Sequence, residues 1–144
     1  MLTIRKIVKG DAQTLGKLAA EVFTMPWSEQ AFAELAQDKN SLFLVAEKEG
    51  RILGGCGLTH ILNEGDIHNV MVVPEEQGKG IGSKLVKCLL EEGSKLGITE
   101  FTLEVRVSNG PAIHLYEKLG FVSEGVRPRF YEQPVEDAMI MWKR

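Results

Sequence analysis

The hexapeptide Gln77-Gly78-Lys79-Gly80-Ile81-Gly82 constrains this chain more than any other stretch, because of what flanks it. Residues 67–74 are β-rich and apolar and end on Pro74, while residues 83–95 carry the 3.6-residue apolar period of an amphipathic helix. The order is strand, glycine loop, helix. Glycines let a backbone approach a ligand closely, and the first turn of a helix exposes unpaired N–H groups and the positive end of the dipole. Such a junction can cradle a phosphate. It is neither of the two commonest glycine motifs. A dinucleotide fingerprint needs G-x-G-x-x-G where this chain has G-x-G-x-G, and no Lys-Ser or Lys-Thr follows to make a P-loop.

The 144 residues are enough for one domain, residues 1–144, with a core of its own. No apolar run approaches the roughly 18 residues of a membrane span and no basic-plus-apolar leader opens the chain, so a cytoplasmic protein is expected. The net charge of −3, with no block of Lys or Arg longer than a pair, gives no footprint for nucleic acid and slightly favours a cationic substrate. Cys56 and Cys88 read as small hydrophobes, not as a disulfide or a zinc site, and His60, His68 and His114 lack metal-ligand spacing. No metal is expected.

Residues 2–8 predict a first strand, and Asp11 stands where it can cap a helix whose Leu15, Leu18, Ala19 and Val22 share one face. Pro26-Trp27-Ser28 breaks the chain, and Ser28 caps a short second helix around Phe32 and Leu35. Residues 42–48 and 51–62 read as a hairpin turned at Glu49-Gly50, with residues 66–73 as a third antiparallel neighbour. The helix after the glycine loop ends near Gly97, and residues 100–107 form the next strand. Asn109-Gly110-Pro111 opens a helix with the apolar stripe Ala112, Leu115, Tyr116 and Leu119, closed by Gly120. Residues 121–126 and 138–142 finish as strands. The order β-α-α-β-β-β-α-β-α-β-β implies an α/β (α+β) fold, a mixed and mostly antiparallel sheet of about seven strands with helices on both faces.

Gln77, Gly80 and Gly82 form Q-x-x-G-x-G, and Asn109 to Phe121 read N-x-x-A-x-x-L-Y-E-K-x-G-F. Both blocks, in this order and at this distance, resemble the signatures of the GNAT superfamily of N-acetyltransferases, whose fold has the same element order. Pro26-Trp27-Ser28, Leu103-Glu104-Val105-Arg106, Phe130-Tyr131 and Glu136-Asp137-Ala138-Met139-Ile140-Met141 are most similar to the RimI type, the ribosomal-protein-alanine N-acetyltransferases. The resemblance covers essentially the whole chain. It implies acetyl-CoA as co-substrate, with the pyrophosphate on Gln77, Gly78, Lys79, Gly80, Ile81, Gly82 and Ser83. It also implies a bulge near Val70, Met71 and Val72 that admits the pantetheine and turns an N–H toward the thioester oxygen. Lys79 is either a phosphate contact or an exposed loop lysine, and Asn109 an N-cap, a CoA contact or both.

Acetyl transfer to an amine needs a neutral nucleophile, a polarised carbonyl and a proton for the departing thiolate. An α-amine of pKa about 7.8 costs only about 1 kcal/mol to neutralise at pH 7, whereas lysine near 10.4 costs roughly 4.6 kcal/mol. Phe101, Leu103 and Val105 alternate against Thr102, Glu104 and Arg106, and in a sheet covered on both faces the second set is expected to be largely buried. Glu104 there could take the amine's proton directly or through water, or it could form a same-face pair with Arg106 in a solvated groove. The resemblance implies the base. Tyr116 lies on an apolar stripe and could be ordinary core, while the resemblance makes it the general acid.

By the same resemblance, residues 25–28 and a loop over residues 127–136 flank the acceptor cleft. Trp27, Phe130 and Tyr131 then wall an extended peptide, with Trp27 alternatively a helix-packing anchor. Glu75 and Glu76 precede the phosphate loop and weaken CoA binding unless they point away, and Arg127-Pro128-Arg129 is stiffer than the type. The function implied is acetyl transfer to a protein N-terminus, that of a ribosomal protein, by direct attack in a ternary complex. A polyamine or aminoglycoside-like acceptor and a non-catalytic CoA-binding module are the alternatives. Neither nucleic acid nor membrane is an expected partner, and the oligomeric state is open.

Overall fold

The computed structural model describes residues 1–144. Strand β1 (Thr3–Lys6) leads through a 3-10 turn at Lys9–Asp11 into α1 (Ala12–Val22) and α2 (Glu29–Leu35). Strands β2 (Ser41–Lys48), β3 (Arg51–Ile61) and β4 (Glu64–Val72) follow, then a 3-10 turn at Pro74–Glu76 and helix α3 (Ile81–Lys95). The chain ends with β5 (Glu100–Arg106), α4 (Gly110–Lys118), β6 (Val122–Tyr131) and β7 (Glu136–Lys143). This is the expected order. No helix is long and apolar enough to cross a membrane.

Local chemistry accounts for most boundaries. Glu49 and Gly50 both take positive φ, 54° and 77°, the conformation of the two-residue turn whose twist matches a right-handed hairpin. Ser28 Oγ accepts from Ala31 N at 3.1 Å and Asn109 Oδ1 from Ala112 N at 3.3 Å, so both expected caps form. Asp11 does not cap. It is 7 % exposed, and its carboxylate takes Arg5 at 2.9 and 3.0 Å and the Val8 amide at 2.8 Å, tying β1 to the turn before α1. An ion pair with a forked guanidinium outcompetes a neutral helix amide for the same oxygens.

The seven strands form one sheet in the order β1-β2-β3-β4-β5-β7-β6, antiparallel except where β4 meets β5. Alternation sends Phe43 toward α2, where its ring meets Phe32 edge-on at 5.7 Å, while a side chain at Gly54 would point at Leu85 of α3. Helices α1 and α2 therefore cover one face and α3 the other. Phe43 also lies flat over β3, leaving no room for a Cβ at Gly55 or Gly57, which would fall 2.7 and 2.4 Å from its ring. Leu115 of α4 reaches Gly82, placing α4 beside the start of α3. Cys56 is buried and Cys88 half-buried; both are free thiols.

Two expectations about the C-terminal strands need correction. The segment over residues 127–136 is not a loop but mostly strand, since β6 extends to Tyr131 and β7 begins at Glu136. A bulge absorbs the extra length: Arg127 pairs with Ala138 but Tyr131 with Glu136, and Arg129 takes a positive φ of 52° while its amide donates to Asp137 Oδ1 at 3.0 Å. The second face of β5 is also less buried than expected. Thr102, Glu104 and Arg106 are half-buried, because α1 and α2 do not extend across β5, β7 and β6.

Candidate active site

Strands β4 and β5 pair over only three positions, Glu64↔Glu100, Gly65↔Phe101 and Asp66↔Thr102. Past Asp66 they separate, because β5 continues along β7 as far as Arg106↔Ala138 while β4 carries an extra residue against β3. The extra residue lies at Asn69, whose φ is 54°, just ahead of the expected Val70, Met71 and Val72. The separation leaves the β4 edge over residues 67–72 without a strand partner on the β5 side. Val70 and Val72 are half-buried there and Met71 is buried.

The glycine loop joins this opening at its lower end. Gln77 Nε2 donates to Val72 O at 3.1 Å, fastening the loop to the end of β4. Gly78 and Gly80 have φ of 81° and 85°, and Gly80 is the N-cap of α3, so the helix starts at Ile81, two residues before the expected Ser83. In consequence the amides of Gly78, Lys79, Gly80, Ile81, Gly82 and Ser83 donate to no acceptor within the chain; the first helical amide to find one is Lys84, on Gly80 O at 3.1 Å. A row of unsatisfied N–H groups at a helix start, with open space where a Cβ would stand at Gly78 and Gly80, fits a pyrophosphate. The two acidic residues ahead of the loop each have a cationic partner. Glu75 pairs with Arg51, and Glu76 pairs with Lys79 at 3.4 Å. Lys79 thus spends its charge on a carboxylate of its own loop.

Glu104 and Arg106 do not pair with each other. Arg127 Nη1 lies 3.6 Å from Glu104 Oε2, and its guanidinium packs 5.4 Å from the centre of the Phe130 ring. Arg106 instead ties the walls of the opening together. It donates to Glu132 O at 2.9 Å, Pro134 O at 3.0 Å, Glu136 Oε1 at 3.1 Å and Thr24 Oγ1 at 3.2 Å, and it stacks on the Tyr131 ring at 4.5 Å. One side chain on β5 thus holds both the turn between β6 and β7 and the segment after α1. Asp66, one strand over from Glu104 on the same face, is pushed up to about 6 by burial and then by the Glu104 charge, with Arg127 opposing.

Trp27 packs as a helix anchor and also borders the opening. It stacks on His68 at 4.8 Å and meets Phe32 at 5.7 Å, yet it stays 37 % exposed at the cleft edge. His68, pulled down to about 4 by burial, is neutral at physiological pH and is held between Asn69 Nδ2 at 3.0 Å and Thr59 Oγ1 at 3.4 Å. Past Trp27 a groove of about 460 Å³, lined in part by Glu34, Leu35, Asp38 and Thr59, runs along α2 and includes no residue of β5. Phe130 and Tyr131 meet edge-on at 5.0 Å. Tyr116 is buried on α4 with its ring against Phe121 at 5.9 Å, and its phenol is pushed well above the ordinary range by burial, then by Cys56 and Tyr131. Tyr131 is itself pushed up to about 12 by burial and then by the Glu104 charge.

The family model for the acetyltransferase (GNAT) family matches residues 12–121. The chain belongs to the GNAT acetyltransferases. It is 33% identical over 143 residues to the [ribosomal protein bS18]-alanine N-acetyltransferase of Escherichia coli strain K12, covering 98% of this chain and 96% of the relative. The crystal structure of the ribosomal-protein-S18-alanine N-acetyltransferase from Escherichia coli superposes with a TM-score of 0.92 at 32% identity, over 99% of this chain and 93% of that one. A spermidine N-acetyltransferase chimera from Vibrio cholerae and hSSAT superposes with a TM-score of 0.85 at 27% identity, over 99% and 94%. This GNAT chain is an acetyl-CoA-dependent N-acetyltransferase.

Three groups at the opening escaped the sequence reading. Asp66 and His68 stand two apart on β4 and share a face with Glu104, a polar alternation visible in Asp66-Ile67-His68 had the strand's second face been read as a cleft floor. Arg127 had no local signal at all. Its partner is set by β7 lying between β5 and β6.

Proposed function

We propose that this GNAT enzyme acetylates the α-amine of a protein N-terminus in the cytoplasm, and that its acceptor is the N-terminal alanine of a small-subunit ribosomal protein. The observation that carries the reading is the β4–β5 opening, with an unsatisfied amide row at one end and the half-buried Glu104 carboxylate at the other. The relatives named for the bS18 alanine, matched over nearly their whole length, support the choice of acceptor.

Acetyl-CoA supplies the activated acetyl group as a thioester. The amides of residues 78–83 hold its pyrophosphate, Gln77 keeps their loop against β4, and Asn109 contributes at the head of α4. The β4 edge at Val70, Met71 and Val72 aligns the pantetheine and donates an N–H to the carbonyl oxygen as negative charge develops there. Trp27, Phe130 and Tyr131 hold the acceptor chain so that its amine faces Glu104. The amine nitrogen forms the new C–N bond as the C–S bond breaks, and Glu104 receives the amine's proton directly or through water. Burial keeps the Tyr116 phenol protonated, so it donates a hydrogen bond to the leaving sulfur. Complete proton transfer from so weak an acid is uphill, and the thiolate takes its final proton as it reaches solvent.

The likeness to a spermidine enzyme, together with Asp66 beside Glu104, favours a small polyamine as the second reading. The test is release of CoA thiol with three acceptors: a peptide with a free N-terminal alanine, the same peptide N-blocked with an internal lysine, and 1,4-diaminobutane. Turnover of the first alone, with kcat reduced about 10²-fold or more in Glu104→Gln, is the expected result. Preference for the diamine or the lysine peptide would overturn the acceptor, and an active Glu104→Gln would overturn the base.

A further inference from the structure

We propose that Arg127 is a specificity-determining residue: its guanidinium, held on Glu104, acts as a charge filter that admits amines which shed their proton easily and turns away polycationic amines and lysine side chains. This rests on the N-acetyltransferase reading with Glu104 as the group the amine must approach.

Arg127 reaches Glu104 at 3.6 Å across β7, from the edge strand β6. It has no other carboxylate partner within ion-pair distance, whereas Arg106, two residues along β5 from Glu104, is engaged by Glu136, Thr24 and two backbone carbonyls. Arg127 is also half-exposed and rests on the Phe130 ring, so its charge stands at the mouth of the opening and is not buried behind it. The positive charge therefore stands beside the carboxylate that an incoming amine must reach. Asp66 feels both Glu104 and Arg127, which places all three in one field.

The consequence differs by acceptor. A cation approaching Glu104 is repelled by Arg127 in proportion to its charge, while a neutral amine is not. An α-amine with a pKa near 7.8 presents an appreciable neutral fraction at pH 7, whereas lysine or an aliphatic diamine near 10.4 arrives almost wholly charged. A residue that merely braces the hairpin would affect all acceptors alike. A filter changes the ratio between them.

The test compares wild type, Arg127→Gln and Arg127→Lys on the free-N-terminus peptide and on 1,4-diaminobutane. In Arg127→Gln, kcat/KM for the diamine relative to the peptide is expected to rise about fivefold or more, a gain that shrinks with added salt, while Arg127→Lys keeps the wild-type ratio. An unchanged ratio in Arg127→Gln, or equal behaviour of the Gln and Lys variants, overturns the filter. Wild-type silence on the peptide would sink the acceptor reading instead, and the filter is then decided by diamine affinity from tryptophan fluorescence. Binding about fivefold tighter in Arg127→Gln upholds it, and equal affinity overturns it.

Discussion

Arg106 is the residue whose removal should most cleanly separate the two ends of the active site. Its guanidinium makes four hydrogen bonds, at 2.9 to 3.2 Å, to Glu132, Pro134, Glu136 and Thr24, and covers the Tyr131 ring. The side chain is 22 % exposed, so its bonds are only partly screened. Charged hydrogen bonds contribute about 1.5–3 kcal/mol each when removed singly, but these four leave together and the two freed carbonyls can turn to water. A net loss of about 2–3 kcal/mol follows for Arg106→Ala. In a chain of this size that is a fall in Tm of about 5–10 °C by scanning calorimetry. The kinetic signature is more specific. Loosening both acceptor walls should raise KM for the peptide by about tenfold, as a small misplacement of positioning groups does, and leave KM for acetyl-CoA unchanged, because the amide row over residues 78–83 does not touch Arg106. Arg106→Lys should recover less than half of either effect, since one ammonium cannot reproduce a planar fork. A lowered Tm with unchanged peptide KM, or both KM values rising together, would refute the reasoning.

At the other end, Gly80→Ala places a side chain at φ 85°, at a cost of about 1–2 kcal/mol. It should weaken CoA binding by calorimetry without changing the peptide KM; full CoA affinity would mean the loop conformation is not what holds the phosphate. Asp66 is pushed up to about 6, mainly by burial, so its stabilising share is complete below its unfolded value of 3.8 and is lost as pH rises through about 6. Asp66→Asn should therefore raise Tm above pH 6 and not below pH 4, with a stability gain of under about 1 kcal/mol because burial is only partial and solvent still screens the charge; a gain equal at both pH values would count against it. His68 titrates the other way: held down to about 4 by burial, it stabilises fully above about 6.5 and loses that share as pH falls through about 4. His68→Phe, which can keep the stack on Trp27, should flatten the wild-type fall in Tm between pH 6.5 and 4, and an unaltered slope would assign that fall to other groups.

The features legible in the residue string are those whose cause lies within a few positions. Ser28 and Asn109 cap their helices three residues ahead, Glu49-Gly50 turns its hairpin, and Gly78 and Gly80 free a row of amides at the start of α3. Each follows from backbone conformation and hydrogen-bond reach, which sequence spacing encodes directly. Asp11 shows where such local rules yield, because its carboxylate went to Arg5, a partner that only the docking of β1 brings near. The same holds for the chemistry. The strand alternation put Glu104 and Arg106 on one face, but strand order decided that Glu104 would meet Arg127 and that Arg106 would reach Thr24 and the β6–β7 turn. The opening itself exists because β4 leaves β5 after Asp66, where its extra residue at Asn69 shifts it against β3, while β5 keeps β7 on its other edge throughout, a register set by strands distant in the chain. Periodicity and caps therefore determined the elements and the anion cradle, whereas the charges around the reacting amine were decided by packing, since ion pairs between non-adjacent strands leave no trace in local spacing.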